Sequence, residues 1–541
     1  SKAELDYCLR NEVPLPVTSP IERLRLMSAF RSGHFLYHSR CAKTGRQILS
    51  YIPPDRGITV YDVKAWLDED WSATSYGQDY DFSRPFFEQF GELLRKVPLP
   101  NLTGTHASLE NCPYCNMITA AKNCYLVFSA QQIEDCLFGR FLYFSKEVVD
   151  SFFIRRSELC YGSVDLQSCY NVHFSEHCEN CSDSLFLSAC RSCTNCYQCV
   201  NLLNKKFCWQ NRQLSESEWH KRRSEIDLAD GSVVERERQD FARFIAQQPV
   251  RCIQGISYEN SSGNYLNQVA DCEECFLVSE ADSLDHCIWV NKGSSCIFTI
   301  GFGGDSELLY NCTQVGNRAY NIKFSLQCRQ MVRDLEYCLL VEANSHDCFG
   351  CISVRNGQYC ILNKQYSAEE YFSLLPKVKE HMQKTGEYGQ FFPIALSPFT
   401  YDESDASLFF PIERAEAVEM GFRWSDSGSQ VVATDFPTVP VKLPSEGDEV
   451  LNQTYRCEVT GKGYRIQRKE LEFLRKLNFA LPRIAPFERI RRAGKFLEWR
   501  PVVEVNCATC GRTCRTVYDP TARKICCEAC YQELLLEAAL N

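Results

Sequence analysis

The 541-residue sequence lacks the features of a membrane protein or of a common enzyme class. No apolar run approaches the ~18 residues needed to cross a bilayer, and the first residues, SKAELDYCLR, contain no signal-peptide core. No glycine-rich phosphate loop, G-x-S-x-G or H-E-x-x-H motif occurs. These absences favour a cytoplasmic protein without membrane contact, and the composition excludes collagen, coiled coil and wholesale disorder.

Cysteine is abundant instead. The chain has 33 cysteines, and 24 of them fall between Cys112 and Cys360. In a short secreted chain such a density would predict a disulfide framework, but this chain is long and shows no export signal. We therefore expect reduced cysteines, some of them bound to metal.

The two ends of the chain are related by a repeat with an offset of 466 residues. The repeat needs no gap, and its two copies share the pattern LPxxxPxER(I/L)R followed by CAxxGR. The matches include Leu15-Pro16 with Leu481-Pro482, Glu22-Arg23 with Glu488-Arg489, and Cys41-Ala42 with Cys507-Ala508.

The C-terminal copy continues into two Cys-x2-Cys pairs separated by sixteen residues. This is the spacing of a four-cysteine zinc ribbon, in which two turns each offer two thiolates to a tetrahedral Zn2+ ion. A redox or purely structural thiol cluster is the alternative, and Cys526 could replace Cys527. The predicted zinc ligands are Cys507, Cys510, Cys527 and Cys530.

The N-terminal copy has lost these ligands. Thr44 stands where Cys510 would be, and a segment with Tyr61 and Trp66 replaces the second cysteine pair. We predict a degenerate ribbon that is held by packing. Cys457 looks like another half-knuckle, because Thr460 occupies its second cysteine position.

The cysteine-rich centre is a tandem duplication. The segment from Cys196-Tyr-Gln-Cys199 to Trp219 reappears as Cys348-Phe-Gly-Cys351 to Tyr371, and the offset between the halves varies between 150 and 152. Short strand-like runs begin at cysteines at even spacings, which predicts a β-solenoid. Capping boxes at Ser215 and Ser367 predict helices that close each half. The expected fold is mainly β with helical caps.

The cysteines of the centre have two interpretations. A cysteine at the same place in successive rungs would stack into an inward ladder of small buried side chains. Alternatively, the repeated Cys-x2-Cys spacing supplies additional zinc sites. The candidate ligands for such sites are Cys112, Cys115, Cys178, Cys181, Cys193, Cys196, Cys199, Cys272, Cys275, Cys348 and Cys351.

These observations predict five segments. They are a degenerate zinc-ribbon-like module (1–100), two cysteine-rich solenoid repeats with helical caps (101–250 and 251–396), a connector with an acidic linker (397–452), and a basic segment with a four-cysteine zinc ribbon (453–541).

Charge is unevenly distributed. The chain has a formal net charge of −10, yet residues 455–500 carry +8 and aromatic residues lie among their basic ones. Basic and aromatic residues together are typical of a nucleic-acid surface. Alternatively, the arginines form the solvated face of a packed helix, or the segment docks on the acidic remainder of the chain. The predicted nucleic-acid contacts are Arg489, Arg491, Arg492, Lys495 and either Phe496 or Trp499.

The sequence also resembles a known family. The string YGxxYDFSRPFFEQF from Tyr76 to Phe90, the cysteine rungs, CxxCxNLxNKxFCxxN and the C-terminal ribbon are similar to cysteine-rich zinc-ribbon proteins of small-genome candidate-phyla bacteria. The resemblance covers nearly the whole chain. It implies a cytosolic bacterial protein with zinc knuckles, and it implies no activity.

Three functions are compatible with these features. The leading hypothesis is a non-enzymatic zinc-binding scaffold whose basic C-terminal module binds nucleic acid or a ribonucleoprotein. The second is a scaffold that binds a protein partner or a second copy of itself through the solenoid face. The third is an enzyme in which His286-Cys287 or His346-Asp347-Cys348 serves as a nucleophile or as a catalytic zinc site, although neighbours on a strand point to opposite faces.

Overall fold

The computed structural model describes residues 1–425 and 435–540, and the fold is mainly β, as predicted. Two large parallel sheets form its centre, and helices and hairpins from both ends of the chain pack against them. No helix in the described ranges has the length and apolar character needed to cross a membrane. The α-helices are Lys2–Arg10, Pro20–Ser28, Val63–Leu67, Phe86–Lys96, Glu216–Ser224, Gly231–Gln247, Ala368–Lys384, Ala406–Phe409, Arg414–Glu419, Arg468–Leu477, Pro486–Ala493 and Glu528–Leu540.

The first sheet has thirteen strands, and all of its neighbouring strands are parallel except the last pair. From Asn116 onward, residues paired between parallel strands lie twelve positions apart, as in the series Asn116, Phe128, Arg140 and Phe152. Seven of the strands close into a ring of parallel pairings. The strands are Gly104–Glu110, Asn116–Lys122, Tyr125–Glu134, Leu137–Val149, Phe152–Arg155, Glu158–Tyr161, Val164–Gln167, Tyr170–His173, Glu176–Glu179, Ser182–Ser188, Tyr197–Val200, Cys208–Trp209 and Arg212–Gln213.

The second sheet has ten strands with the same parallel arrangement. Its register changes from twelve to thirteen residues beyond a bulge near Gly293, and the pairs Glu307, Tyr320, Arg333 and His346 follow the longer step. The strands are Gly255–Glu259, Gly263–Ala270, Cys275–Asp282, Ile288–Ser294, Ile297–Gly316, Tyr320–Lys323, Arg333–Glu336, His346–Phe349, Gln358–Ile361 and Lys364–Gln365.

A three-residue backbone period underlies the first sheet. Every third residue from Asn111 to Gln210 has a positive φ, a conformation that costs a non-glycine L-residue about 1–2 kcal/mol. Of the 34 residues that directly follow these positions, 31 are buried, as Cys124, Val127 and Ala130 illustrate. The chain is therefore divided into units of three residues, here called sides. Each side contributes one side chain that points inward.

A helix follows the last strand of each sheet, at the position that the sequence predicts. Ser215 Oγ accepts a hydrogen bond from the Glu218 N–H, and Ser367 Oγ accepts one from the Glu370 N–H, each at 3.2 Å. The reciprocal bond from the backbone to the glutamate forms only at Ser367. Both predicted helix starts are thus confirmed, and one of the two capping boxes is complete.

The terminal modules pack crosswise onto the two sheets. Glu4 and Arg23 form a buried ion pair, and Arg23 Cζ lies 3.7 Å from the centre of the Phe298 ring in the second sheet. At an offset of 466 residues, Glu470 and Arg489 form the corresponding pair, and this arginine lies over a phenylalanine ring of the first sheet. The sequence repeat is therefore also a structural repeat. The remaining strands are Tyr37–Arg40, Gln47–Ser50, Val60–Tyr61, Leu99–Pro100, Val250–Arg251, Tyr455–Arg456, Gly463–Tyr464, Val503–Asn506, Thr513–Thr516 and Ile525–Cys526.

A buried ion cluster joins four parts of the chain. Asp405 accepts hydrogen bonds from Arg31 at 2.5 Å and from Arg140 at 2.8 Å, and all three side chains are at most 1% exposed. Arg31 Cζ also lies 4.5 Å from the centre of the Trp289 ring in the second sheet. Burial raises the pKa of Asp405, but the two guanidinium groups outweigh burial and hold it below its usual value. Two buried cations thus share one carboxylate where the connector, the N-terminal module and both sheets meet.

Candidate metal centre

The four C-terminal cysteines of the predicted zinc site come together. The sulfur atoms of Cys507, Cys510, Cys527 and Cys530 all lie within 4.8 Å of one another, and a group of this kind could hold a metal ion. The Cys510 and Cys527 sulfurs are 3.7 Å apart. A tetrahedral ion with bonds of about 2.3 Å separates its ligand sulfurs by about 3.8 Å, so this pair has the spacing of bound ligands.

A tight turn from Cys507 to Arg512, here called a knuckle, presents the first two cysteines. The Cys507 N–H donates to the Arg512 carbonyl at 2.9 Å, and the Gly511 N–H donates to the Cys507 carbonyl at 3.0 Å. Gly511 has a φ of 73°, which glycine adopts without steric cost. The other two cysteines lie at the start of the helix Glu528–Leu540, which follows the strand Ile525–Cys526.

Backbone groups of the knuckle favour the thiolate form that binds metal. Burial raises the pKa of Cys507, but N–H groups of Cys510, Cys527 and Thr509 outweigh burial and bring it to about 6. The Arg512 N–H is the main cause that lowers the pKa of Cys510. Metal ions bind deprotonated thiols, so these donors favour the metal-binding form of Cys507 and Cys510.

The neighbouring cysteines lie outside this group. Cys526 is buried, and its sulfur lies 3.5 Å from Thr509 Oγ1 instead of facing the other four sulfurs. Cys514 lies in the strand Thr513–Thr516, beyond the knuckle. Cys527 is therefore the member of the 526–527 pair that belongs to the candidate site.

The four-cysteine group is anchored between the two parallel sheets. Glu528, next to Cys527, forms an ion pair with Arg251, and the Tyr531 hydroxyl donates to Asn201 Oδ1 at 2.8 Å. The strand Ile525–Cys526 also pairs with Val250–Arg251. Sequence reasoning missed these anchoring residues, because the Arg251 and Glu528 partners are 277 positions apart and no local pattern relates them.

Two further knuckles have the same backbone but not the ligands. In the N-terminal knuckle, the Cys41 N–H donates to the Arg46 carbonyl at 2.9 Å, and Cys41 Sγ accepts the Asp62 N–H at 3.2 Å. Asp62 occupies the place of Cys527, whose N–H donates to Cys507 Sγ. The Thr44 hydroxyl lies against the Cys41 thiol and helps to lower its pKa against the opposing effect of burial.

The knuckle at Cys457 repeats this pattern. The Cys457 N–H donates to the Lys462 carbonyl at 2.9 Å, and Cys457 Sγ accepts the Ala485 N–H at 3.3 Å. Thr460 lies against the Cys457 thiol, as Thr44 lies against Cys41. The predicted loss of metal ligands at Thr44 and Thr460 therefore agrees with a common turn in which a threonine hydroxyl takes the place of a cysteine ligand.

The described residues favour the buried-thiol interpretation of the central cysteines over the alternative of additional zinc sites. All thirteen cysteines between Cys112 and Cys208, and ten of the eleven in the second half, directly follow a residue with positive φ. In the described part of the chain, only the C-terminal group brings three or more metal-ligating side chains together. The Cys-x2-Cys spacing reflects the three-residue period of the backbone. The corrected residues are Cys112, Cys115, Cys178, Cys181, Cys193, Cys196, Cys199, Cys272, Cys275, Cys348 and Cys351.

These inward cysteines serve as small hydrogen-bonding core residues. Cys136 Sγ donates to the carbonyl two residues earlier at 3.3 Å, and Cys178 Sγ does the same at 3.2 Å. Ser151 and Ser163 make the equivalent bond through their hydroxyl groups. A thiol and a hydroxyl both fit this narrow position, which explains why cysteine and serine alternate there.

The predicted nucleic-acid residues lie in different environments. Arg489 is buried and forms ion pairs with Asp150 and Glu470, so its guanidinium group is not presented to a phosphate and the prediction for it is corrected. Arg491 and Arg492 are exposed, and both lie beside Glu488.

The remaining predicted contacts also differ in exposure. Lys495 is exposed, whereas Trp499 is half-buried with its ring centre 5.9 Å from that of Phe410. Phe496 is half-buried and packs against Phe152 and Tyr265. Both aromatic rings are therefore partly engaged in packing within the fold.

Much of the basic segment binds acidic groups of the same chain. Lys476 contacts Glu147 at 2.8 Å, and Arg468 contacts Asp448 at 2.6 Å. This agrees with the alternative in which the segment docks on the acidic remainder. Part of the positive charge found in the sequence is therefore neutralised within the fold.

The histidines proposed for catalysis have other partners. His286 Nδ1 lies 2.6 Å from Asp285, and its ring stacks on Phe298. The Cys287 thiol donates to a backbone carbonyl. His346 likewise pairs with Asp347, and the Cys348 thiol donates to the His346 carbonyl. Neither histidine has its neighbouring cysteine as a hydrogen-bond partner in these contacts.

Comparison with known proteins adds no family. No protein-family model matches the chain, and no curated protein matches it. A solved structure of a provisionally assigned acetyltransferase from Desulfovibrio desulfuricans G20 aligns at 9% identity over 54% of this chain and 86% of that chain. Its TM-score of 0.11 carries no argument about fold or function.

Proposed function

We propose that the protein is a non-enzymatic, zinc-stabilised scaffold of the cytoplasm, in which a C-terminal zinc ribbon holds two β-solenoids together. The observation that carries this proposal is the position of the four-cysteine group. The helix that begins at its second cysteine pair contacts Asn201 in the first half and Arg251 at the start of the second. A bound ion would fix this helix to the knuckle and so stabilise the junction.

The thiolate chemistry supports zinc as the ion. Four cysteines in one group match the ligand set of structural Zn2+ sites, which leave no position open for a substrate. The twelve-residue register and the three-residue period support the solenoid interpretation of both sheets. The resemblance to cysteine-rich zinc-ribbon proteins of candidate-phyla bacteria belongs to the same proposal.

Metal analysis of the purified protein tests this function. We expect one zinc per chain in the unmodified protein and none in the Cys510→Ser/Cys527→Ser variant, because two ligands cannot hold a structural ion. Loss of the ion should also expose the boundary near Arg251 to trypsin. Cys514→Ser, outside the group, is the matched control and should retain both zinc and protease resistance. A zinc-free, protease-resistant wild-type protein would refute the proposal.

A second candidate function is nucleic-acid binding by the exposed part of the basic segment. Three cations, Arg491, Arg492 and Lys495, lie exposed on one short stretch of the chain. Phosphate contacts of this kind make affinity depend on salt, because each neutralised phosphate releases counterions.

Charge reversal tests this candidate. Arg491→Glu/Arg492→Glu should weaken RNA or DNA binding and reduce the slope of log affinity against log salt by about two, measured by fluorescence anisotropy. Lys377→Glu/Lys384→Glu makes the same change in net charge on the distant helix Ala368–Lys384 and is the control. Equal losses of affinity in the two variants would mean that net charge alone determines binding. Unchanged affinity in both variants would exclude Arg491 and Arg492 as phosphate contacts.

A further inference from the structure

The 33 cysteines differ in their access to solvent. All of them lie in the described ranges, and Cys510 is the only exposed one. Cys112, Cys514 and Cys527 are half-buried, and the rest are buried. A small molecule in solution that reacts with sulfur therefore meets Cys510 before the thiols of the core.

The exposed cysteine has a close sulfur partner. The Cys510 and Cys527 sulfurs are 3.7 Å apart, whereas Cys507 and Cys530, the other two members of the four-cysteine group, are buried. The two accessible members of the group are thus in contact with each other. In a zinc-bound group both sulfurs are thiolates, and the thiolate is the form that reacts with oxidants.

The other two half-buried cysteines lack this combination of access and thiolate character. Contact with the Cys124 thiol and burial raise the pKa of Cys112, and burial raises the pKa of Cys514 to about 12. Both side chains are therefore thiols near neutral pH, a form that reacts slowly with oxidants. Among the described cysteines, access and thiolate character coincide in the C-terminal group.

The accessible pair is also connected to the junction between the two sheets. Cys527 directly precedes the helix Glu528–Leu540, whose first residue accepts a hydrogen bond from Arg251 at 2.6 Å. Tyr531 of the same helix donates to Asn201 in the first half. A disulfide bond is shorter than a contact between two sulfurs, so bond formation would draw Cys527 and the start of this helix toward its partner.

We propose that the Cys510–Cys527 pair is a peroxide-sensitive switch that releases the zinc ion and loosens the junction between the two sheets. The switch rests on the zinc site proposed above. In its first step, the Cys510 thiolate attacks one oxygen of hydrogen peroxide and the O–O bond breaks. The leaving hydroxide takes up a proton to become water, and Cys510 becomes a sulfenic acid.

The second step forms the disulfide. The Cys527 thiolate attacks the Cys510 sulfur, the S–O bond breaks, and the hydroxide takes up a proton and leaves as water. In total, two thiolates, one peroxide and two protons give one disulfide and two waters, and two electrons pass from the sulfurs to the peroxide. Cys507 and Cys530 remain as thiolates, and two ligands do not hold a structural ion.

Oxidation of the zinc-loaded full chain tests the switch. We expect hydrogen peroxide to release one zinc per chain, measured with a colorimetric chelator, and mass spectrometry after thiol blocking to find a Cys510–Cys527 disulfide. Trypsin should then cut after Arg251 roughly tenfold faster, because this residue is only 5% exposed in the intact fold. Dithiothreitol with added zinc should restore both properties, since a disulfide is reversible.

A variant without the other two half-buried thiols is the matched control. Cys112→Ser/Cys514→Ser leaves the four-cysteine group in place and should respond to peroxide as the unmodified protein does. A protein that is free of zinc before oxidation would refute the zinc site itself. Four results would instead refute the switch in a zinc-loaded protein: retention of zinc in peroxide, a disulfide that includes Cys112 or Cys514, a sulfinic acid in place of the disulfide, or unchanged cleavage after Arg251.

Discussion

Replacement of Asp405 by asparagine is expected to lower the free energy of unfolding by about 3–5 kcal/mol. Asparagine preserves the size of the side chain but removes its charge, so Arg31 and Arg140 would keep two buried guanidinium groups without a counterion. Leaving a buried charge uncompensated costs much more than losing a surface ion pair. The loss is measured by urea unfolding, followed by tryptophan fluorescence, because Trp289 lies against Arg31.

A surface aspartate provides the control for this measurement. Asp68 forms an exposed ion pair with Lys43 at 3.2 Å, and Asp68→Asn should cost at most about 1 kcal/mol. Arg31 and Asp405 lie in different parts of the chain, so the Asp405 variant should also loosen the contact between the connector and the N-terminal module. A loss below about 1 kcal/mol for Asp405→Asn would show that the buried cluster does not need its carboxylate.

The second large effect is a gain of metal. The triple variant Thr44→Cys/Asp62→Cys/Ala65→Cys should bind one zinc per chain more than the unmodified protein. Together with Cys41, the three new cysteines take the places of Cys510, Cys527 and Cys530 on the same knuckle backbone. The Asp62 N–H already donates to Cys41 Sγ, as the Cys527 N–H donates to Cys507 Sγ.

Zinc binding is strong enough to offset the cost of these changes. Asp62 caps the helix Val63–Leu67, and loss of a cap costs about 1 kcal/mol, whereas structural zinc contributes about 10–16 kcal/mol in small zinc modules. Zinc is counted by elemental analysis after gel filtration. The corresponding triple serine variant is the control, and a folded triple cysteine variant with the wild-type zinc content would contradict the prediction.

The C-terminal site could be predicted from the sequence because its determinants are local. Two Cys-x2-Cys pairs, a glycine at the turn and a helix after the second pair suffice to bring Cys507, Cys510 and Cys527 together. The same is true of the helix starts at Ser215 and Ser367, since a cap needs only one short stretch of chain. The repeat that relates the two ends of the chain could also be recognised in the sequence, because its matching positions include buried residues such as Arg23.

The metal assignments in the centre failed for a geometric reason. A knuckle and a three-residue side both separate two cysteines by two residues, so spacing alone does not distinguish them. The signal that distinguishes them is a shared position in the three-residue period. Cys112, Cys124, Cys136 and Cys160 are all separated by multiples of three residues. The net charge of the basic segment misidentified Arg489 as a phosphate contact for another reason. The number of cations in a segment does not show which of them point inward.

The three-residue side also determines how the sheets tolerate changes in chain length during evolution. In the second sheet, turns of thirteen residues carry two consecutive left-handed residues at one corner, at Asn317-Arg318, Gln330-Met331 and Ala343-Asn344. The extra residue lies at the corner. On the next side an inward-pointing residue again occupies its usual position, as the buried Cys328 and Cys338 show. Single insertions at corners are therefore neutral to the core, whereas an insertion within a side would move an inward residue to the surface. The offset of the internal repeat, which varies between 150 and 152 residues, agrees with changes in chain length at corners.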